Sequence, residues 1–110
     1  MVESPASPTS AVLIKTRIDE KRLFEARFLL KKVSSEIDPS TSRQLRQQLE
    51  NLIVQAEQVF ARAEQLEEQG RYEEARQGYA GIFDIVVDFP AIDRALQRVT
   101  VALALGPLQS

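Results

Sequence analysis

Four glutamates and one phenylalanine recur at helical spacing in the second half of the chain. Successive members lie 3, 4, 3 and 1 residues apart, and the set is Glu57, Phe60, Glu64, Glu67 and Glu68. On an α-helix these spacings place all five side chains on one broad face. Carboxylates beside an aromatic ring would attract a basic peptide and steer its approach. The same pattern fits a solvated charged face that binds nothing, and both interpretations stay open.

The composition argues against catalysis. The 110 residues include no His, no Cys and no Trp, which removes the commonest general base and the thiolate ligands of metals. A carboxylate pair such as Glu67 with Asp84 could act as acid and base. No nucleophile with its base, metal-ligand set or glycine-rich phosphate loop accompanies it. We therefore expect a protein without enzymatic activity, bound metal or cofactor.

Charge is distributed unevenly along the chain. The net charge is −2, yet residues 1–47 carry nine Lys/Arg and six Asp/Glu, whereas residues 48–110 carry five and ten. Such a dipolar chain could pair head to tail with a second copy or present its basic half to an acidic partner. Nucleic-acid binding is not expected, because no aromatic stacking platform is interleaved with the basic cluster. That cluster comprises Lys15, Arg17, Lys21, Arg22, Lys31 and Lys32.

Breaker residues divide the first half of the chain into helices. No Gly or Pro occurs between Ala11 and Asp38. Apolar residues recur there with helical periodicity from Leu23 onward, which predicts a helix that Asp38-Pro39 ends. A bend near residues 19–21 would separate this helix from a short one over Ala11–Arg17; one continuous helix is the alternative. Residues 1–10 are predicted to form a disordered lead.

The second half of the chain predicts three more helices. Ser40, Thr41 and Ser42 are cap-type residues, and an unbroken apolar seam predicts a long helix over residues 43–69, closed by Gly70. Helical spacing continues from Arg71 to Asp88, although its β-branched end would also suit a strand. A fourth helix is expected from Ala91 to Leu105, followed by a tail over 106–110.

The last predicted helix is apolar over more than half of its circumference. A terminal helix of a helical stack needs a polar outer side, so something is expected to cover this face. A second copy of the chain would bury it at an interface, and burial within one copy is the alternative. The interface residues predicted on this basis are Ile92, Leu96, Val99 and Leu103.

The two halves of the chain resemble each other. Glu25-Ala26-Arg27 aligns with Glu74-Ala75-Arg76, and each half ends at a proline. A spacing of about 50 residues between helix pairs is typical of helical solenoids.

The pattern over residues 58–90 resembles the tetratricopeptide repeat, most specifically in the segment GRYEEA at 70–75. The resemblance implies small residues where helices cross at Ala63 and Ala75, and a concave peptide-binding side that holds the glutamate row. Lys21 stands where the first unit should have its turn glycine, Pro90 comes late, and the 43–69 helix is longer than the family's. A small three-helix domain of the microtubule-interacting-and-trafficking type shares the G-Y-E-E-A pattern. The residues that carry the tetratricopeptide resemblance are Ala63, Leu66, Gly70, Tyr72, Ala75, Tyr79 and Ile82.

Together these patterns predict an all-α domain of four to five antiparallel helices with one unusually long helix, over residues 11–105. The expected function is non-catalytic protein–protein interaction, as an adaptor, assembly or co-chaperone-like module, and structural homo-oligomerisation is the alternative. No segment is apolar enough to span a membrane. The start lacks the features of a signal peptide, which favours a cytoplasmic location, although an exported chain whose signal was removed fits equally.

Overall fold

The chain folds into α-helices. A computed structural model describes residues 6–109, and within that range no β-strand occurs. The all-α prediction is confirmed, as is one long helix, which here contains 30 residues. Two single turns of 3-10 helix follow α2 and α4, at Ser34–Glu36 and Ile82–Asp84. The helices are α1 (Ala6–Asp19), α2 (Leu23–Val33), α3 (Pro39–Glu68), α4 (Tyr72–Gly81) and α5 (Ile92–Gln109).

The helices form two hairpins along one rod. α1 packs on α2, α3 packs on α4, and α2 joins the two hairpins by packing on the first half of α3. α5 packs on α4. The molecule measures 70 × 19 × 18 Å. α3, at about 1.5 Å per residue, spans about 45 Å of that length.

One hydrophobic core runs through the rod from Ile14 to Val99. Ala63 and Ala75, the predicted crossing residues, are buried. A Cβ added at Gly78 would lie 3.0 Å from the Cβ of Ala63, so α3 and α4 approach closely at this point. Small side chains permit that approach, because larger ones would hold the helix backbones apart.

The turns of the two hairpins have the same backbone geometry. Lys21 and Gly70 both adopt positive φ, at 65° and 78°. In each turn the following amide bonds to the carbonyl five residues earlier, from Arg22 to Arg17 at 2.8 Å and from Arg71 to Leu66 at 2.9 Å. This is the hydrogen-bond pattern of a Schellman motif, which usually places glycine at the left-handed position. The predicted bend near residues 19–21 is therefore present, with lysine in the role of glycine.

The start of α3 is capped by a residue other than those predicted. The Asp38 carboxylate accepts hydrogen bonds from the amides of Ser40 and Thr41 at 3.1 and 3.2 Å. Pro39 occupies the first turn, where a missing N–H costs no hydrogen bond. Asp38-Pro39 therefore begins α3, and α2 ends earlier than predicted, at Val33.

The first and last helices extend beyond the predicted bounds of the domain, 11–105. α1 begins at Ala6, so residues 6–10 are helical and not a disordered lead, while the other lead residues, 1–5, lie outside the described residues. Pro8 falls in the first turn of α1, where helices tolerate proline. α5 continues through Gly106 and Pro107 to Gln109, so the predicted tail is also helical; Ser110 is not described. Near a helix end, proline removes a single hydrogen bond.

The helix predicted over residues 71–88 ends early, at Gly81. The segment from 82 to 91 is neither a continued α-helix nor a strand, because its polar groups bond to the first hairpin instead. The Val87 amide donates to the Lys21 carbonyl at 2.8 Å. The Asp88 carboxylate accepts from the amides of Phe24 and Glu25, at 3.1 and 2.9 Å. This segment therefore ties the α3–α4 hairpin to the turn between α1 and α2.

Candidate functional site

Three of the predicted glutamates meet at the end of α3. Glu64, Glu67 and Glu68 line a hollow of about 420 Å³ together with Tyr72 of α4 and Arg98 of α5. We call this set of five residues the acidic hollow. Its three carboxylates and one guanidinium leave a formal excess of two negative charges. Such a surface attracts a cationic ligand.

Glu67 is engaged inside the molecule. Its carboxylate accepts a hydrogen bond from the Tyr79 hydroxyl at 2.7 Å and two from the Arg98 guanidinium at 3.0 and 3.1 Å. The bonds from Arg98, and then that from Tyr79, hold the pKa of Glu67 below its ordinary value of 4.5, against the opposing effect of desolvation. Burial, followed by the bond to Glu67, raises the pKa of the Tyr79 hydroxyl. The Glu67 carboxylate therefore joins α3 to α4 and α5 while it also lines the hollow.

Glu64 and Glu68 are exposed and stand one turn apart on α3. Neither makes an ion pair with another residue in the part of the chain that the structure describes. Like charges at this spacing destabilise a helix by a few tenths of a kcal/mol, roughly 0.2–0.5. A bound cation would relieve that repulsion. These two side chains are the best placed of the predicted row to bind a ligand.

Phe60 and Glu57 do not belong to the hollow. Phe60 stacks on Phe89, with ring centroids 5.0 Å apart, and lies 5.2 Å from the ring of Tyr79. Phe89 in turn meets Phe24 edge-on at 5.5 Å. Phe60, predicted as the aromatic floor of a groove, thus packs in the contact between the two hairpins and does not line the hollow. Glu57 is exposed, two turns of α3 away from Glu64.

The predicted interface on α5 is partly inside the molecule. Ile92 and Val99 are buried against the rest of the chain, so they cannot contact a second copy in this fold. Leu96 and Leu103 are half-buried. No residue from 100 to 106 is buried, and Val101 and Leu105 stay 50% and 43% exposed. The exposed apolar residues of α5, Val101 and Leu105, thus lie on the side of the helix opposite to the predicted interface residues.

The predicted basic cluster divides into separate contacts. Arg17 and Arg22 form ion pairs with Glu20 and Glu25 around the first turn. The ammonium of Lys32 lies 5.1 Å from the ring centre of Phe28.

Two residues that line the acidic hollow, Arg98 and Tyr72, were not predicted as site residues. Tyr72 was noted only as part of the tetratricopeptide resemblance, and no local pattern relates Arg98 to a glutamate 31 residues earlier.

In residues 6–109, no group of three or more acidic side chains is arranged to hold a metal ion. No helix in that range combines the length and the apolar character needed to cross a bilayer.

Comparison of the chain with protein-family models, with curated proteins and with solved structures finds no match. The resemblance to the tetratricopeptide repeat therefore stays a prediction.

Proposed function

We propose that this protein is a non-catalytic interaction module that binds a basic peptide segment at the acidic hollow. The observation that carries the proposal is the pair Glu64 and Glu68, two exposed carboxylates without ion-pair partners among the described residues, beside the half-buried ring of Tyr72. Charge complementarity would speed association and select lysine- and arginine-rich segments. Tyr72 offers an aromatic face to a cationic side chain.

The rigidity of the hollow supports this proposal. Glu67 links α3 to α4 through Tyr79 and to α5 through Arg98, so three helices hold the hollow in place. A site on packed helices loses less conformational entropy on binding than one on a loop.

The proposal of a tetratricopeptide-like architecture is supported by the equal geometry of the turns at Lys21 and Gly70. Five helices exceed what a three-helix domain would contain.

A charge-reversal experiment tests the hollow. A fluorescein-labelled peptide of alternating lysine and alanine serves as the probe, and fluorescence anisotropy measures its affinity. The variant Glu64→Lys with Glu68→Lys is expected to bind the peptide at least tenfold more weakly. The matched control is Glu57→Lys with Asp84→Lys, which changes the net charge equally at exposed positions outside the hollow. Equal losses in the two variants, or none in either, would refute the acidic hollow as the binding site.

A second candidate function is homo-oligomerisation through α5. It is favoured by the exposed side chains of Val101 and Leu105, which lie one turn apart on this helix. Burying both residues against a second copy would remove apolar surface from water at about 25 cal/mol per Å². Light scattering should then show a mass above that of one chain, and Leu105→Asp should return it to the monomer. The control Val54→Asp alters a valine of similar exposure, 44%, on α3. A monomeric wild-type protein would eliminate this candidate.

A further inference from the structure

A groove of opposite charge lies between α2 and α3, near the other end of α3. Two adjoining hollows of about 570 and 330 Å³ share Ser34 and Arg46 in their walls. Arg27 and Lys31 line it from α2, and Arg43 and Arg46 line it from α3. We call these four cations, with Ser34 and Ser42, the basic groove.

Most of this charge is uncompensated within the described part of the molecule. Glu50 is the one carboxylate in the walls, and its nearest oxygen lies 3.9 Å from the Arg27 guanidinium. Lys31, Arg43 and Arg46 form no ion pair with any residue between 6 and 109. Guanidinium groups bind carboxylates through two parallel hydrogen bonds, which makes arginine the preferred residue for recognising them.

A buried hydroxyl provides a second, independent observation. Ser42 lines the groove and is only 5% exposed, so a polar side chain is buried there. Its side chain makes no hydrogen bond within residues 6–109. Buried hydroxyl groups are normally satisfied, because an unpaired one costs roughly 1–3 kcal/mol. A ligand oxygen seated beneath Arg43 and Arg46 would supply that partner.

We propose that the basic groove binds an acidic peptide segment. The elongated groove, with cations along both walls and the buried side chain of Leu30 beneath them, suits an extended chain that carries several carboxylates. The acidic hollow of a second copy does not fit here, because that hollow is itself concave and two concave surfaces cannot interpenetrate. The groove and the hollow share no residue and lie about 30 Å apart along α3. The proposal is therefore independent of the function proposed for the hollow, and with it describes a rod that joins two oppositely charged segments.

The probe for this site is a fluorescein-labelled peptide of alternating glutamate and alanine, measured by anisotropy. Arg43→Glu with Arg46→Glu should weaken its binding at least tenfold and leave binding of the lysine peptide unchanged or stronger. Arg62→Glu with Arg94→Glu is the matched control, because both arginines are exposed and lie outside the groove. The affinity of this control variant for the glutamate peptide should stay within about threefold of the wild-type affinity, because screened charges far from the groove contribute little to binding.

Ser42→Ala provides a test that preserves the charge of the protein. Loss of one hydrogen bond to the ligand predicts binding about two- to tenfold weaker, with an unchanged circular dichroism spectrum. The proposal is overturned if the glutamate peptide does not bind at about millimolar concentration, or if both charge-reversal variants lose affinity equally. A labelled single-stranded oligonucleotide that binds more tightly than the glutamate peptide and is released by the Arg43/Arg46 variant would assign the groove to nucleic acid instead.

Discussion

The Asp88 carboxylate supplies a helix cap across the molecule. It accepts hydrogen bonds from the amides of Phe24 and Glu25 at the start of α2, whose own N-cap residue, Arg22, provides no side-chain cap. A carboxylate at this position satisfies two backbone amides and interacts favourably with the helix dipole. One side chain in the segment between α4 and α5 thereby stabilises the first hairpin.

Replacing this cap should destabilise the protein. We expect Asp88→Ala to lower the free energy of unfolding by about 1–2 kcal/mol, with a fall in Tm of several degrees, measured by thermal denaturation. Asp84→Ala is the control, because Asp84 is exposed and forms no ion pair within residues 6–109. Equal stability of the two variants would contradict the role of Asp88 as a cap.

Glu67 makes stability depend on pH. The hydrogen bonds from Arg98 and Tyr79 keep its folded-state pKa below 4.5, so the unfolded chain binds the proton more readily. The stabilisation is therefore fully present above about pH 4.5 and is lost as the pH falls through the lower folded-state value. Urea denaturation of Glu67→Gln should show a weaker dependence on pH in that acidic range than the wild type.

The control for this measurement is Glu57→Gln, at an exposed carboxylate outside the hollow. Its pH dependence should match that of the wild type. A Glu67→Gln protein that loses stability in acid as steeply as the wild type would show that this carboxylate is not linked to folding.

At the scale of elements, the two hairpin turns place different residues in the same conformation. Lys21 has a positive φ of 65° and Gly70 one of 78°. A side chain in this region is strained by about 1 kcal/mol relative to glycine. Lys21→Gly should therefore stabilise the protein by up to about 1 kcal/mol, and Gly70→Ala should destabilise it by a similar amount.

Chemical denaturation of both variants measures this difference. Gly81→Ala is the reference, since Gly81 has an ordinary helical φ of −64° and open space around its added Cβ. There alanine should be neutral or stabilising, as expected for a helix. If Gly70→Ala stabilised the protein as much as Gly81→Ala, the left-handed turn would not exist in solution.

At the scale of the whole molecule, the long α3 makes the protein a rod. Its radius of gyration is 18.3 Å, whereas a compact domain of about 100 residues has one of about 13 Å. Small-angle X-ray scattering of the monomer should give a value near the larger number. A value near the smaller one would mean that the two hairpins fold back on each other, which would bring the acidic hollow and the basic groove together.

Features that depend on neighbours along the chain could be predicted before the fold was known. Periodic apolar residues predicted the helices and the length of α3, and the resemblance to the tetratricopeptide repeat implied a close crossing at Ala63 and Ala75. Periodicity and propensity act over one or two turns, so they can be read without knowing the fold. The glutamate row was also found in this way, although of its members only Glu64, Glu67 and Glu68 line the acidic hollow.

The contacts between polar groups of distant segments could not be predicted from local patterns. Arg98 donates hydrogen bonds to Glu67, which lies 31 residues earlier, and Asp88 caps α2, whose start lies 64 residues earlier. The helix predicted over residues 71–88 ends at Gly81. Phe60 packs in the contact between the hairpins, and the basic groove lies where α2 packs on α3. Hydrogen bonds and charge pairing between distant segments depend on how helices pack, and that packing results from the burial of the whole core and not from any local pattern.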